Sequence, residues 1–197
     1  MRSKGIESYK ALVAQRREQL RIQFPKLLPR DESFVWEIGC GHGHFLTAYA
    51  AAHPQEPCIG IDISPERVAR AERKQVRAGL RNLHFILADA DDFLAALPRG
   101  RRASAIFMLF PDPWPKRRHH KNRLVKPEFL AAAAAAAEKG APLYFRTDYE
   151  PYFAEARLLV GGAPAWRLLP QTLLPLEEPT VFQRRAPRHF TLVAARR

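Results

Sequence analysis

FVWEIGCGHGHFLTAYAAA, residues 34–52, is the stretch on which the fold of this 197-residue chain depends. Its first five residues, Phe34–Ile38, form a short apolar run that is typical of a buried strand. Three glycines at alternate positions follow this run, namely Gly39, Gly41 and Gly43, and the last nine residues of the stretch predict a helix. Glycines in such a loop let the backbone approach a ligand where side chains would clash. The stretch therefore predicts a strand, a ligand-binding loop and a helix.

Apolar runs alternate with helical segments along the rest of the chain. This alternation predicts an α/β fold, with a doubly wound and mostly parallel sheet of about seven strands and helices on both of its faces. The predicted helices cover 6–20, His44–Ala52, Pro65–Ala78, Asp91–Leu97 and Pro127–Lys139, and a further helix starts at Glu150. The predicted strands are Phe34–Ile38, Cys58–Ile61, Leu83–Ala88, Ala103–Leu109, Pro142–Phe145, Trp166–Leu169 and Phe190–Ala194.

An acidic side chain lies at or just beyond the carboxyl end of each of five predicted strands. These acids are Glu37, Asp62, Asp89, Asp112 and Asp148. A single acid in such a place can simply cap the next helix. Five in succession are harder to explain in that way, and a doubly wound sheet binds its ligands at the carboxyl ends of its strands. We therefore expect the five acids to surround one binding site.

The spacing of the glycines argues against two common nucleotide sites. A dinucleotide fingerprint needs G-x-G-x-x-G, but His44 occupies the position of the last glycine, and no G-K-[ST] sequence is present for a nucleoside triphosphate. The form E-x-G-x-G-x-G resembles motif I of the class I S-adenosylmethionine-dependent methyltransferases. This resemblance implies that Asp62 accepts hydrogen bonds from the two ribose hydroxyls and that Asp89 and Ala90 lie at the adenine edge.

A second distinctive stretch, FPDPWPKRRHHKNRLVK, runs from Phe110 to Lys126 directly after a predicted strand. It begins with a proline-rich turn that carries one carboxylate, Asp112, and one indole, Trp114. Residues 113–126 then contain six Lys and Arg residues and no acid. An acid and an aromatic ring beside a cationic segment suit the binding of a planar base and of the phosphates around it.

This second stretch resembles the signature of the bacterial tRNA (guanine-N7-)-methyltransferases. RTDYEPY, residues 146–152, is similar to the second signature of that family, T-D-x-E-P-Y. TVFQR, residues 180–184, occupies the place of its C-terminal motif, T-x-[FY]-E-x-[KR], with Gln183 where the family has Glu. The resemblance runs in order from Glu37 to about residue 185 and implies methyl transfer to N7 of guanine 46 in the tRNA variable loop.

The resemblance also implies a role for each matching residue, with S-adenosylmethionine as cofactor and no metal. Asp112 is the central active-site acid. The cofactor is bound by Glu37, Gly39, Gly41, Gly43, Asp62, Asp89 and Ala90. The substrate is contacted by Lys116, Asp148, Thr180, Val181, Phe182 and Gln183. The RNA is contacted by Arg117, Arg118, His119, His120, Lys121 and Arg123.

The charge of the chain is consistent with a polyanionic partner. Its net charge is +12, and Lys and Arg are concentrated in residues 1–30, 113–126 and 184–197. We expect residues 1–30 to form a basic helical arm and residues 31–197 to form a single methyltransferase domain. The N-terminal residues have no apolar segment typical of a secretion signal and the chain has only two cysteines, so we expect a cytoplasmic protein. The sequence implies tRNA as partner, no membrane and no obligate protein partner.

Three alternatives remain open from the sequence. The Asp112-Pro113-Trp114 turn also resembles a shortened form of the turn of amino-methyltransferases that act on adenine or cytosine. The chain could instead be a basic RNA-binding module without catalysis, although it retains all three cofactor acids. A small-molecule methyltransferase would explain the first half of the chain but not its charge.

Overall fold

Strands and helices alternate along the chain in the order that the sequence predicts. The computed structural model describes residues 2–28, 32–170, 173–177 and 188–197, with side chains from residue 11 onwards. The strands are β1 (Phe34–Ile38), β2 (Cys58–Asp62), β3 (Leu83–Leu87), β4 (Ala103–Leu109), β5 (Pro142–Thr147), β6 (Trp166–Leu169) and β7 (Phe190–Arg196). The helices are α1 (Arg2–Leu27), α2 (His44–Ala52), α3 (Pro65–Ala78), α4 (Ala90–Ala96), α5 (Pro127–Ala135) and α6 (Glu150–Gly162), and a 3-10 helix covers Arg117–Asn122.

The seven strands form one sheet in the order β3-β2-β1-β4-β5-β7-β6. All neighbouring pairs are parallel except those of β7, which is antiparallel to both β5 and β6. The predicted fold class is therefore confirmed. The strand order reverses between β1 and β4, and in such sheets the crevice at this reversal is the usual ligand site.

Strand β1 lies at the centre of the core because both of its faces are covered. Trp36 stacks on Phe93 of α4, with ring centroids 4.8 Å apart, in the hydrophobic cluster on one face of the sheet. Val35 belongs to the cluster on the other face, together with Phe45 of α2 and Val68 of α3. Burial on both faces explains why the strand is a continuous apolar run rather than an alternating one.

Helix α5 is shorter than the sequence predicts. It ends at Ala135, although the alanine run and the following residues favour a helix to Lys139. The backbone N–H of Ala103 donates to the carbonyl of Ala136 at 2.7 Å, and the N–H of Glu138 donates to the carbonyl of Ala103 at 2.9 Å. These hydrogen bonds to the start of β4 replace those of the next helical turn. The predicted end of the helix was therefore wrong by four residues.

Helix α1 is longer than the predicted segment 6–20 and is fixed to the domain by its C-terminal half. Leu20, Phe24 and Leu28 are buried in the main cluster, whereas Leu12 is 44% exposed. The Arg17 guanidinium is 2.7 Å from the Asp92 carboxylate of α4. The division of the chain at residue 30 stays a prediction. Within the described part of the chain, no helix is long and apolar enough to span a bilayer.

Candidate functional site

The glycine loop between β1 and α2 is the floor of the site. Gly39, Gly41 and Gly43 all have positive φ, at 73°, 56° and 67°. A Cβ on Gly43 would lie 2.4 Å from the ring of Phe85, so this glycine is required for the close packing of the loop on β3. A Cβ on Gly39 or Gly41 would meet no atom within 4 Å. The loop is therefore packed tightly at its helical end and leaves open space above its first two glycines.

Asp62, at the end of β2, stabilises this loop by a hydrogen bond and faces the open space above Gly39 and Gly41. Its side chain is buried, with Oδ2 accepting the N–H of Gly41 at 3.0 Å and Oδ1 accepting the N–H of Ser64 at 2.8 Å. A carboxylate offers about four acceptor positions. Two of them hold the backbone, and the Arg67 guanidinium lies 3.8 Å from Oδ2, which is beyond hydrogen-bond distance. The other two positions therefore remain available for a pair of ligand hydroxyls.

Glu37 is buried beneath the loop, and its charge is only partly compensated. The backbone N–H of Leu46 donates to this carboxyl, but its Oε2 atom is buried and has no hydrogen-bond partner among the described residues. Burial, opposed by the Leu46 bond and reinforced by the nearby Asp62 charge, raises the pKa of Glu37 to about 8. A carboxyl with an unpartnered oxygen in this position favours a cationic ligand group.

Asp89 has a structural task as well as a place in the site. It is the N-cap of α4, and its Oδ1 accepts the backbone N–H of Asp92 at 2.7 Å. Its side chain is exposed, so its second oxygen remains accessible, and Ala90 behind it is buried. Asp89 and Ala90 both line the cavity.

One cavity of about 560 Å³ joins the predicted cofactor residues to the turn after β4. Its volume is typical of a site for a small-molecule ligand or cofactor. Phe129 of α5 and Leu124 contribute apolar surface to the cavity. The predicted residues that line it are Glu37, Gly39, Gly41, Asp62, Asp89, Ala90, Asp112 and Arg123, and Trp114 joins them.

The turn that carries Asp112 has an unusual backbone. Phe110 and Trp114 both have positive φ, at 54° and 44°, which side-chain-bearing residues rarely adopt. The surroundings hold this conformation, since the N–H of Phe110 donates to the carbonyl of Arg146 on β5 at 2.7 Å. Strained backbone of this kind is concentrated at functional sites. The exposed carboxylate of Asp112 lies between the two strained residues.

The buried side chain of Arg123 stabilises the other end of the turn. Its side chain is 2% exposed, and its Nε donates to the carbonyl of Pro113 at 2.9 Å. Its Nη1 donates to Glu155 of α6, and its guanidinium lies 4.8 Å from the ring centroid of Tyr152. The prediction that Arg123 contacts RNA is therefore wrong, because its guanidinium is buried and two of its three nitrogens are bonded within the domain.

The remaining members of the basic segment, which comprises residues 113–126, differ in exposure. The ring of His119 makes an edge contact with Trp114, with centroids 5.8 Å apart, and the Nδ1 of His120 is 3.9 Å from Glu155. Both histidines are half-buried, so they also support the turn. Five cations of the segment are exposed, namely Lys116, Arg117, Arg118, Lys121 and Lys126, and the last of these lines the cavity. Contacts of Arg117, Arg118, Lys121 and the two histidines with RNA stay a prediction.

The predicted substrate residues are not all brought to the cavity wall. Asp148 follows β5, next to β4 in the sheet, and is exposed. Asp148 and Lys116 lie outside the cavity lining. Four further predicted residues lie outside the described residues, namely Thr180, Val181, Phe182 and Gln183.

Arg146 is a buried cation whose role sequence reasoning missed. Its guanidinium bonds both carboxylate oxygens of Glu177 at 2.8 Å and the hydroxyl of Thr191 at 2.9 Å. Its carbonyl is the acceptor for Phe110, so Arg146 links the segment 173–177 to the strained turn. A single arginine between apolar strand residues gives no sequence signal for this arrangement, because its partner is 31 residues away.

Comparisons with known proteins show which proteins this chain resembles in sequence. Residues 31–186 match the model of a family described as "Putative methyltransferase". A protein of Nocardia farcinica named tRNA (guanine-N(7)-)-methyltransferase is 37% identical over 134 residues, which cover 68% of this chain and 49% of the relative. One of the same name from Geobacillus kaustophilus is 34% identical, over 75% of this chain and 68% of the relative. This chain therefore spans about half of the length of the first relative and about two thirds of the length of the second.

Comparison with a solved structure supports the fold class, but not the function. An rRNA methylase from Streptococcus thermophilus superposes with a TM-score of 0.57 over 89% of this chain and 93% of its own, at 14% identity. Identity at this level indicates a shared fold and carries no information about the substrate.

Proposed function

Since this chain belongs to the family of the bacterial tRNA (guanine-N7-)-methyltransferases, we propose that it transfers the methyl group of S-adenosylmethionine to N7 of guanine 46 in the tRNA variable loop. The observation that carries the proposal is the single cavity that joins Glu37, Asp62 and Asp89 to Asp112. The exposed Lys126 also lines this cavity, and four further exposed cations precede Lys126 in the basic segment. The proposal includes a cytoplasmic location, because tRNA is found there, and no obligate protein partner.

The residues of the cavity fit S-adenosylmethionine. The free acceptor positions of Asp62 suit the two ribose hydroxyls, and the accessible oxygen of Asp89 suits the adenine edge. The unpartnered oxygen of Glu37 suits a cationic group, and the cofactor has two, its ammonium and its sulfonium. When bound, the cofactor supplies a methyl group on a sulfonium sulfur, which is a good electrophile.

This assignment of Glu37 predicts a pH dependence of cofactor affinity. In the free protein the carboxyl is largely protonated below its pKa of about 8. A cationic ligand prefers the carboxylate, so binding releases a proton and becomes tighter as the pH rises. Between pH 6 and pH 7.5 we expect the affinity to increase about twentyfold. Isothermal titration in two buffers of different ionisation enthalpy measures both the affinity and the released proton.

Two variants test this pH dependence. Glu37→Gln is expected to bind more weakly and to lose both the pH dependence and the proton release. Glu72→Gln, a matched change at an exposed carboxylate of α3, is expected to behave as the wild type. A proton release that persists in Glu37→Gln would assign the titration to another group and contradict the assignment.

The chemistry of the acceptor defines what Asp112 does. Guanine N7 has an in-plane lone pair and no proton, so its methylation requires no general base and leaves a positive charge on the base. We propose that the carboxylate of Asp112 accepts hydrogen bonds from the guanine N–H groups and stabilises this developing charge. The interaction strengthens toward the transition state and so lowers the barrier. Asp148, beyond the neighbouring strand, is proposed to act on another edge of the base.

The proposed reaction is tested by methyl transfer from labelled S-adenosylmethionine to unmodified tRNA, followed by nucleoside analysis. We expect label in 7-methylguanosine with the wild-type tRNA and none with a tRNA that carries adenine at position 46. Label in another nucleoside would overturn the proposed acceptor and favour an amino-methyltransferase. Tight tRNA binding without any transfer would favour the RNA-binding module.

A further inference from the structure

Helix α3 carries a row of arginines that points away from the protein. Residues 65–81 contain six Lys and Arg residues and two acids. Arg70, Arg73 and Arg77 follow one another at helical spacings of three and four residues, and all three are exposed. Val68 and Ala71 on the opposite side of the helix are buried. The three arginines therefore form one outward face, which we call the α3 face.

The three guanidinium groups of the α3 face make no ion pair with the described residues, although the exposed Glu66 lies on the same side of the helix, four residues before Arg70. No carboxylate of the described residues lies within 4.0 Å of these three guanidinium groups, and the ion pair that α3 does make is between Arg67 and Asp62. Like charges at these spacings destabilise a helix. A row of cations without ion-pair partners on one helix face is typical of a surface that meets a polyanion.

The α3 face lies close to the cavity. Arg67, one turn before Arg70, lines the cavity, and the Nζ of Lys74 donates to the carbonyl of His42 in the glycine loop at 2.9 Å. Desolvation, and then the positive charges of Arg70, Arg67 and Lys74, lower the pKa of His42. The positive potential of the helix therefore extends to the rim of the site.

The α3 face and the exposed cations of the basic segment flank the cavity on two sides. Helix α3 follows β2, and the basic segment follows β4, while β1 with its glycine loop lies between these two strands. Arg70 and Arg77 are seven residues apart, a rise of about 10 Å along the helix axis. This length allows contact with several successive phosphates of one strand. Flanking cations of this kind position a nucleic acid without specifying its sequence.

We infer that the α3 face is a second RNA-binding surface, which contacts backbone phosphates of the substrate on the side of the cavity opposite the basic segment. This inference rests on the proposed function and adds to it the surface that binds the body of the RNA. The contacts are made with phosphates rather than with the reacting base. Their loss therefore weakens RNA binding and leaves the chemical step unchanged.

The experiment compares two triple variants with the same change in charge. Arg70→Gln/Arg73→Gln/Arg77→Gln removes the α3 face. Arg99→Gln/Arg102→Gln/Arg167→Gln removes three exposed arginines at the edge of the sheet where the parallel strands begin, away from the cavity. The affinity for tRNA is measured by fluorescence anisotropy as a function of salt concentration. Single-turnover rates at saturating tRNA and cofactor affinities are measured alongside.

The α3 triple variant is expected to reduce the slope of log K against log[salt] by about 2 to 3, because each lost phosphate contact removes roughly 0.7–0.9. Its single-turnover rate and cofactor affinity are expected to equal those of the wild type. Equal slopes and affinities in the two triple variants would overturn this inference and leave the proposed function intact. Absence of methyl transfer by the wild type would instead overturn the proposed function and this inference with it.

Discussion

Asp112→Asn is expected to slow the single-turnover methyl transfer about 100-fold while cofactor affinity changes less than about threefold, because the substitution keeps the shape of the side chain and removes its charge. The carboxylate lies at the edge of the cavity, on the strained turn between Phe110 and Trp114. The cofactor residues belong to other strand ends, so their arrangement does not depend on Asp112. The rate is measured by rapid quench with saturating tRNA and labelled cofactor.

Glu128→Gln is the matched control for this prediction. Glu128 is another exposed acid of the same cavity, on the first turn of α5, and its substitution removes the same charge. We expect its transfer rate to stay within about threefold of the wild type. A rate for Asp112→Asn near that of the wild type would contradict the electrostatic role, whereas equal losses in the two variants would indicate a general effect of negative charge in the cavity rather than a specific role of Asp112.

The strand ends and the cofactor residues are the parts of the molecule that the sequence predicts well. The apolar runs of a doubly wound sheet are buried on both faces. In this chain a glycine or an aspartate lies at the end of each strand from β1 to β5 or within three residues beyond it. For this reason the order of residues along the chain suffices to assign Glu37, Asp62 and Asp89 to one edge of the sheet. The order of residues does not predict the further roles of these acids. The helix cap formed by Asp89 and the unpartnered oxygen of Glu37 depend on local geometry.

Other features depend on contacts between residues that are distant in the sequence. The end of α5 is decided by the pairing of Ala137 with Ala103, and an alanine run by itself favours a longer helix. Arg123 belongs to a row of cations whose other members face solvent, and its partner Glu155 is 32 residues away. Composition predicts an exposed arginine at that position. Only the three-dimensional structure distinguishes an arginine that is buried and bonded within the domain from one that contacts phosphate.

The ion pair between Arg123 and Glu155 predicts separate effects on stability and on catalysis. Glu155→Ala leaves the buried Arg123 guanidinium without its counter-charge and is expected to lower the free energy of unfolding by about 3 kcal/mol. This value is the lower end of the usual range because the Glu155 side chain is itself 37% exposed. In this variant the bond from Arg123 to the Pro113 carbonyl remains. Urea unfolding followed by circular dichroism measures the change.

Arg123→Met/Glu155→Ala removes the pair and replaces the buried cation with an apolar chain of similar length. Its stability is expected to recover most of the loss, because an apolar replacement of a buried ion pair avoids the cost of desolvation. Its transfer rate is expected to fall about tenfold, since the Pro113 carbonyl has lost its donor and a misplaced Asp112 costs rate even in a stable fold. A stable double variant with the wild-type rate would show that Arg123 contributes to packing only and does not position Asp112. A slow but stable one assigns it to positioning Asp112 through the backbone of the turn.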